Sequence, residues 1–342
     1  MFNARRTGAA LAVAATLMAV SAVPTEAVGP KASGVGAVTE YNSPAKPWDI
    51  TQGPDGNMWV TNPFSSEQVL RVTPTGVITA YPLPTTNYVL MVRTGSDGAL
   101  YLSTFHGGVY RMTTAGLVTD HYDVAATGDG MALGPDGNIW VAGGGFISRL
   151  TPGGVVTDFP VDGFSLRITA GPDGALWFTN FDFNYTDGSP NPYIGRITTA
   201  GDITKFPSLP PDEGTSLPWG ITTGPDGNLW FADQFDRIGR LTPTGTFTYF
   251  LTPPGGGPTD ITAGPDGNLW FTVSGYARIV RMSTSGQTTG FPLPAPYSGP
   301  YDITVGPHNT IWFTEQGANN SGYSRIGVIK ACGGETCGVK PK

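Results

Sequence analysis

The sequence predicts an all-β fold, a seven-bladed β-propeller, and three observations carry that prediction. A Gly-Pro-Asp-Gly-Asn-(Leu/Ile/Met)-Trp phrase recurs, with clear copies beginning at Gly53, Gly134, Gly171, Gly224 and Gly264 and altered ones at Gly95 (GSDGALYL) and Gly306 (GPHNTIWF). The seven copies lie 42, 39, 37, 53, 40 and 42 residues apart, a period that belongs to propellers and solenoids. No stretch within a unit has helical length or a 3.6-residue period, which removes helical solenoids. A β-helix would repeat over much shorter lengths.

One unit, Ile261 to Phe291, justifies its strands in order. Ile261-Thr262-Ala263 is a short β-prone run, and Gly264 to Asn268 is a tight turn in which Pro265 presets one φ and Gly267 tolerates a positive one. Leu269 to Thr272 is the second run, Arg278 to Ser283 the third, and Thr288 to Phe291 the fourth, after a turn at Ser285-Gly286. Four strands joined by hairpins make one antiparallel blade. The seventh unit supplies only three: Ile303 to Val305, Ile311 to Thr314 and Arg325 to Lys330. Val38-Thr39-Glu40-Tyr41 matches the fourth-strand pattern of Val156 to Phe159 and Ile203 to Phe206. This N-terminal strand is therefore expected to complete blade seven and close the ring, because an open ring would leave an unpaired edge prone to aggregation.

Glycine (49) and proline (31) are abundant among the 342 residues. They sit at periodic turns between apolar runs, so they mark a folded chain rather than a disordered one. The propeller is expected over residues 37–330. A net charge of −7 disfavours nucleic acid and anionic membranes as partners. Residues 1–27 read as a secretory signal peptide: Arg5-Arg6 precede a small and apolar run from Ala9 to Val23, with Val20-Ser21-Ala22 or Thr25-Glu26-Ala27 as the cleavage site. The alternative, a membrane anchor, has a run that is short for a span. A secreted, monomeric protein is expected. In the tail, 331–342, export favours a disulfide between Cys332 and Cys337, and the small loop it closes limits its stabilisation to roughly 2 kcal/mol.

Strand order separates the two faces. The Pro-Asp-Gly turns and the strand three-to-four turns fall on one face, the bottom. The variable loops, 180–192, 207–218 and 315–324, fall on the top, where function is expected. Three sets of residues reach the top mouth. The first strands begin there with Trp48, Leu90, Asp129, Leu166, Trp219, Thr259 and Tyr301, followed by Asp49, Met91, Gly130, Arg167, Gly220, Asp260 and Asp302. The second strands end there with Asn62, Thr104, Gly143, Asn180, Asp233, Val273 and Glu315. Trp48, Trp219 and Tyr301 are candidates to stack on a ligand, with Asp49, Asp129, Asp260 and Asp302 beside them. Asp233 and Glu315 are candidate ligands of a hard cation. Asp49, Asp260 and Asp302 each precede Ile-Thr, which suits a repeated structural hydrogen bond equally well. The repeat tryptophans (such as Trp59, Trp270 and Trp312) read as core between blades, and the strand-three arginines (such as Arg111 and Arg196) as scaffold. Of the three histidines, His121 falls in an outer strand and His308 in a bottom turn, and only His106 reaches the top.

GPDGALWFTN at Gly171, IGRITTAG at Ile194, PWGIT at Pro218 and WFTEQGAN at Trp312 resemble the virginiamycin B lyase (streptogramin lyase) family over residues 38 to about 330. The resemblance implies a seven-bladed propeller and a Mg²⁺-assisted ring opening of a cyclic depsipeptide antibiotic, an elimination at an ester rather than a hydrolysis. It also implies histidines at the start of strand one in the last two blades. Here those places hold Thr259 and Tyr301, and a family glutamate two residues before the second falls on Gly299. A further family glutamate corresponds to Glu315 or Gln316. Elimination needs a base near neutral pKa, so Glu315 and His106 remain as catalytic candidates. Two functions follow: a lyase acting on a cyclic depsipeptide or related ester, and a non-catalytic extracellular propeller that binds a small molecule or peptide at the top.

Overall fold

A computed structural model describes residues 34–64, 68–84, 87–182, 191–207, 216–294, 298–317 and 324–333, together with the strands Ser21–Val23 and Ala27–Val28. The architecture is the expected ring of seven antiparallel sheets built on four-stranded blades, consecutive in sequence in every blade but the seventh, with one short extra strand at the outer edge of blades one and seven. In the unit used above the strands are Pro258–Ala263, Leu269–Val273, Arg278–Met282 and Thr288–Pro292. First strands of successive blades pack against one another and line the central channel. Residues 183–190, 208–215 and 318–323, within the expected variable top loops, lie outside the described residues.

Closure follows the expected route. Val38–Asn42 pairs antiparallel with Arg325–Lys330, with Val38 opposite Ile329 and Tyr41 opposite Ile326. The N-terminal strand also supplies the side chains of the place it fills. In five of the other blades the repeat tryptophan of strand two lies against an aromatic of strand four, as Trp177 on Phe206 (5.2 Å between centroids) and Trp270 on Phe291 (5.4 Å). In blade seven Trp312 stacks on Tyr41 at 6.2 Å. The turn before the closing strand fits as well. Gly245 (φ +100°) places its backbone where a Cβ would meet Phe206 of the preceding blade, and Gly36 (φ +80°) does the same against Phe291. Positive φ and the lack of room both require glycine there.

Two short strands were not expected. Ser21–Val23 pairs with Ile78–Pro82, the outer strand of blade one, and Ala27–Val28 pairs with the closing strand of blade seven. Both overlap the segment read as a leader and sit on sheet edges outside the four-stranded blades. Cys332 is disulfide-bonded, and its expected partner Cys337 lies outside the described residues.

The repeat phrase has a local chemical meaning. In five blades the turn carboxylate accepts a hydrogen bond from the indole N–H four residues on, as Trp59 Nε1 to Asp55 Oδ1 (3.1 Å) and Trp230 Nε1 to Asp226 Oδ1 (2.9 Å). Those tryptophans are fully buried, so the carboxylate satisfies a donor that burial would otherwise strand. The strand-three arginines serve the same turns: Arg111, Arg196 and Arg281 pair with Asp97, Asp173 and Asp266.

Candidate functional site

At the top of the channel several blades are tied to the next by side chains near the entry of the first strand. Asp49 Oδ2 accepts the Val92 N–H of blade two (2.8 Å), Asp260 Oδ2 that of Ile303 in blade seven (3.1 Å), and Asp302 Oδ2 that of Ile50 in blade one (2.9 Å). The structural hydrogen bond weighed from the Asp-Ile-Thr pattern is therefore present in all three. It leaves each aspartate buried against its neighbour.

A second set of ties involves hydroxyls that sequence reading passed over. The side chain two residues after each repeat aromatic is Thr61, Ser103, Thr179, Thr272 or Thr314 in blades one, two, four, six and seven, and alanine in blades three and five. Thr272 Oγ1 accepts the Asp260 N–H of its own blade (3.0 Å) and donates to the Tyr301 carbonyl of the next (2.9 Å). Thr61, Thr179 and Thr314 repeat this arrangement, and Ser103 donates to the Gly128 carbonyl. The recurrence of Thr or Ser two places after the aromatic was the available signal.

Two arginines enter the channel among these aspartates. Arg93 Nη1 donates to both Asp49 oxygens (2.9 and 2.7 Å). Arg167 donates to the Asp129 carbonyl and lies 3.9 Å from Asp302 Oδ1. Burial, together with the neighbouring Asp49 and Asp260 charges, raises the Asp302 carboxyl well above the ordinary range. Burial also raises Asp260 and Asp129, and the Asp129 carboxylate accepts from the Thr127 hydroxyl (2.8 Å).

Above the channel an aromatic series runs outward. Tyr301 lies 4.4 Å from Trp48, Trp48 lies edge-on to Phe64 at 5.2 Å, and Phe64 is 5.8 Å from Tyr88. Phe64 and Tyr88 are exposed at the rim. Trp48 and Tyr301 thus meet as one surface. Trp219 sits at the same level in blade five, and its indole N–H is buried with no hydrogen-bond partner.

Among the described residues no group of three or more His, Cys, Asp or Glu side chains gathers to hold a metal ion. His106 packs on Phe105 in blade two, whereas Glu315 is buried in blade seven. The Ser298 hydroxyl lies beside the Glu315 carboxyl, and burial, followed by the charge of Glu40, pushes its pKa up to about 8. Nearby Arg325 is engaged by Glu40 (2.6 Å). Asp233 is the opposite case. It accepts from Ser216 Oγ, the Leu217 and Phe235 N–H groups and Arg237 Nη2, at 2.9 to 3.1 Å.

These surroundings do not fit Asp233 and Glu315 to the Mg²⁺ expected from the resemblance. Asp233 has its oxygens committed to four donors, and Glu315 favours its neutral form at neutral pH. Mg²⁺ would require ionised oxygens with room for several waters.

The family-model comparison settles the affiliation: the virginiamycin B lyase family model matches residues 21–181 and 122–333. The chain belongs to the virginiamycin B lyase family. Among solved structures, virginiamycin B lyase from Staphylococcus aureus is 31% identical, with a TM-score of 0.73, and the match covers 86% of this chain and 98% of that one. A streptogramin B lyase is 28% identical, with a TM-score of 0.74 over 85% and 96% of the two chains. A third similar structure is a catalytically inactive His-to-Ala variant of the S. aureus lyase with quinupristin (30% identity, TM-score 0.74, 86% and 98% coverage). A calcium-binding regucalcin from Agrobacterium tumefaciens, 18% identical with a TM-score of 0.54, shares the fold alone. No curated protein sequence matches the chain. Within the virginiamycin B lyase frame, Thr259 is buried with its hydroxyl on the Gly257 carbonyl (3.3 Å), and Tyr301 occupies the mouth.

Proposed function

We propose that this virginiamycin B lyase family member takes up a cyclic depsipeptide, or a related ring-shaped ester, at the top mouth outside the cell, and that it acts there by binding. The observation that carries this reading is the joined Tyr301–Trp48 surface opening onto exposed Phe64 and Tyr88. It offers apolar area for a compact amphipathic ring, at a mouth where threonine and tyrosine stand in the family's histidine places. The leader-like segment 1–27 supports export.

A second reading, elimination of the ester, is favoured by Glu315. A carboxyl with a pKa of about 8 has the proton affinity that a general base or acid uses near neutral pH. Elimination would move a proton to a base from the carbon adjacent to the one bearing the ester oxygen, break that carbon–oxygen bond and expel the carboxylate, leaving a carbon–carbon double bond and opening the ring without water.

Incubation of the leader-free protein with quinupristin and Mg²⁺ tests both readings. Binding alone gives saturable tryptophan quenching with the ligand recovered intact. A product of unchanged mass and altered retention, lost in Glu315→Gln, establishes the lyase instead. Absence of quenching and of product sinks both for this ligand class.

A further inference from the structure

The two faces of the ring carry different exposed side chains. In blades one, two, three, five and six an exposed aromatic follows the repeat aromatic by four to six residues, in or beside the loop between strands two and three: Phe64, Phe105, Phe146, Phe235 and Tyr276. Tyr88, just before Val89–Thr94, and Phe164, which opens Phe164–Ala170, are exposed at the entry of first strands. All seven rings therefore stand on the top, spread over six blades. Among the described residues the large hydrophobics exposed toward the bottom are aliphatic: Val35, Leu117, Leu133 and Val155. Single exposed apolar side chains are ordinary, but a complete sorting of the aromatics onto one face is not. Charge is divided the other way. The bottom turns expose Asp55, Asp97, Asp136, Asp173 and Asp226. On the top, besides His106, the exposed acids and bases among the described residues are Asp123, Asp162 and Lys205, and Lys205 pairs with Asp162.

Rings from six blades surround the mouth, so only a broad and nearly flat partner meets the whole set. Five of the seven are phenylalanines, which bring no hydrogen-bonding group for a sugar polymer. The upper ends of the fourth strands add exposed Pro82, Pro160, Pro207, Leu251 and Pro292. Such a face offers little charge to a charged protein or an anionic membrane. Aromatic rings and leucine without charge suit the interfacial zone of a neutral bilayer. We infer that the top face is a lipid-docking surface, on which the exposed rings enter the headgroup zone of a zwitterionic bilayer while the acidic turns of the bottom stay in water. Several rings are held ready: Phe64 lies 5.8 Å from Tyr88, the Phe105 N–H donates to the Tyr88 carbonyl (2.9 Å), and the Arg278 guanidinium lies 5.7 Å from the Tyr276 ring. Docking then orders few further side chains. The surface is independent of the ring-ligand reading, since Phe146, Phe164 and Phe235 belong to blades three to five, away from the Tyr301–Trp48 surface.

Flotation of the leader-free protein, which keeps every strand of the seven blades, with phosphatidylcholine vesicles tests the surface. The protein floats with the vesicles. Phe164→Ser and Phe235→Ser each lower its partition coefficient about fivefold, in line with partial burial of one ring, and the pair lowers it about twenty-five-fold. Val155→Ser on the bottom leaves it unchanged, and added phosphatidylglycerol does not strengthen it. Each variant keeps the unfolding temperature of the parent, because the replaced side chains are exposed, so lost flotation is not lost folding. Failure of the parent to float, flotation only with phosphatidylglycerol, or an equal loss in Val155→Ser overturns the lipid-docking surface. Unchanged flotation of the Phe164→Ser and Phe235→Ser pair overturns it too, and if the same pair turns a dimer into a monomer in size-exclusion chromatography, a second copy of the chain covers the face. Quinupristin quenching is the same in parent and pair, so failure of either reading leaves the other standing.

Discussion

Two carboxylates end second strands at the top, Asp233 in blade five and Glu315 in blade seven, and their surroundings set them apart. The arginine at the start of strand three decides the difference. Arg237 turns to Asp233 (2.9 Å), while Arg325 turns outward to Glu40 of the closing strand (2.6 Å). Replacing Arg237 with methionine strands a buried charge and is expected to cost about 3–5 kcal/mol, measurable by urea unfolding. Glu315 gives a pH signature. Its folded pKa of about 8 lies above the ordinary 4.5, so folding takes up a proton between these values. Its contribution is full below the ordinary value and is lost as pH rises through the folded one, at about 1.4 kcal/mol per unit at most. Glu315→Gln should therefore gain stability relative to the parent between pH 5 and 8. A difference in unfolding free energy that does not change with pH would refute the neutral carboxyl.

At the scale of the blade, most of the structure is held by short-range chemistry. The turn aspartate reads the indole four residues on, and the indole stacks on strand four of its own sheet. Trp270→Ala removes both contacts and leaves a large cavity, with an expected loss of about 3–5 kcal/mol in thermal or urea unfolding. Because these contacts lie within one unit, the period and the strands were readable from the sequence. Closure was readable too, since Tyr41 stands where the other blades place Phe or Tyr. The ties between blades were less legible. Asp49, Asp260 and Asp302 are visible as a pattern, but the pattern alone does not separate a hydrogen bond to the next blade from a ligand contact. Arg167 stood among the mouth residues, yet nothing local revealed that it reaches Asp302, 135 residues further along the chain. The choice of Arg325 between Glu40 and Glu315 depends on ring closure and has no local trace.

Across the whole molecule the closing strand does more than cover an edge. It brings Tyr41 to Trp312 and Glu40 to Arg325. A chain lacking residues 34–42 should therefore expose Arg325–Lys330 as an open edge and elute as multimers in size-exclusion chromatography, whereas a monomeric elution with unchanged thermal unfolding would show that closure is dispensable. The hydroxyl and carboxylate ties point one way round the ring. Thr61 donates to blade two, Thr179 to blade five, Thr272 to blade seven and Thr314 to blade one, and Asp49, Asp260 and Asp302 each accept from the blade that follows. Each blade thus has a distinct front and back, and the contact between them is heterologous in the sense used for cyclic oligomers. The propeller amounts to a head-to-tail heptamer threaded on a single polypeptide, so the order of its members is written in the joints as well as in the chain. Two co-expressed pieces parted between blades have the information to find each other and reassemble in the original sequence.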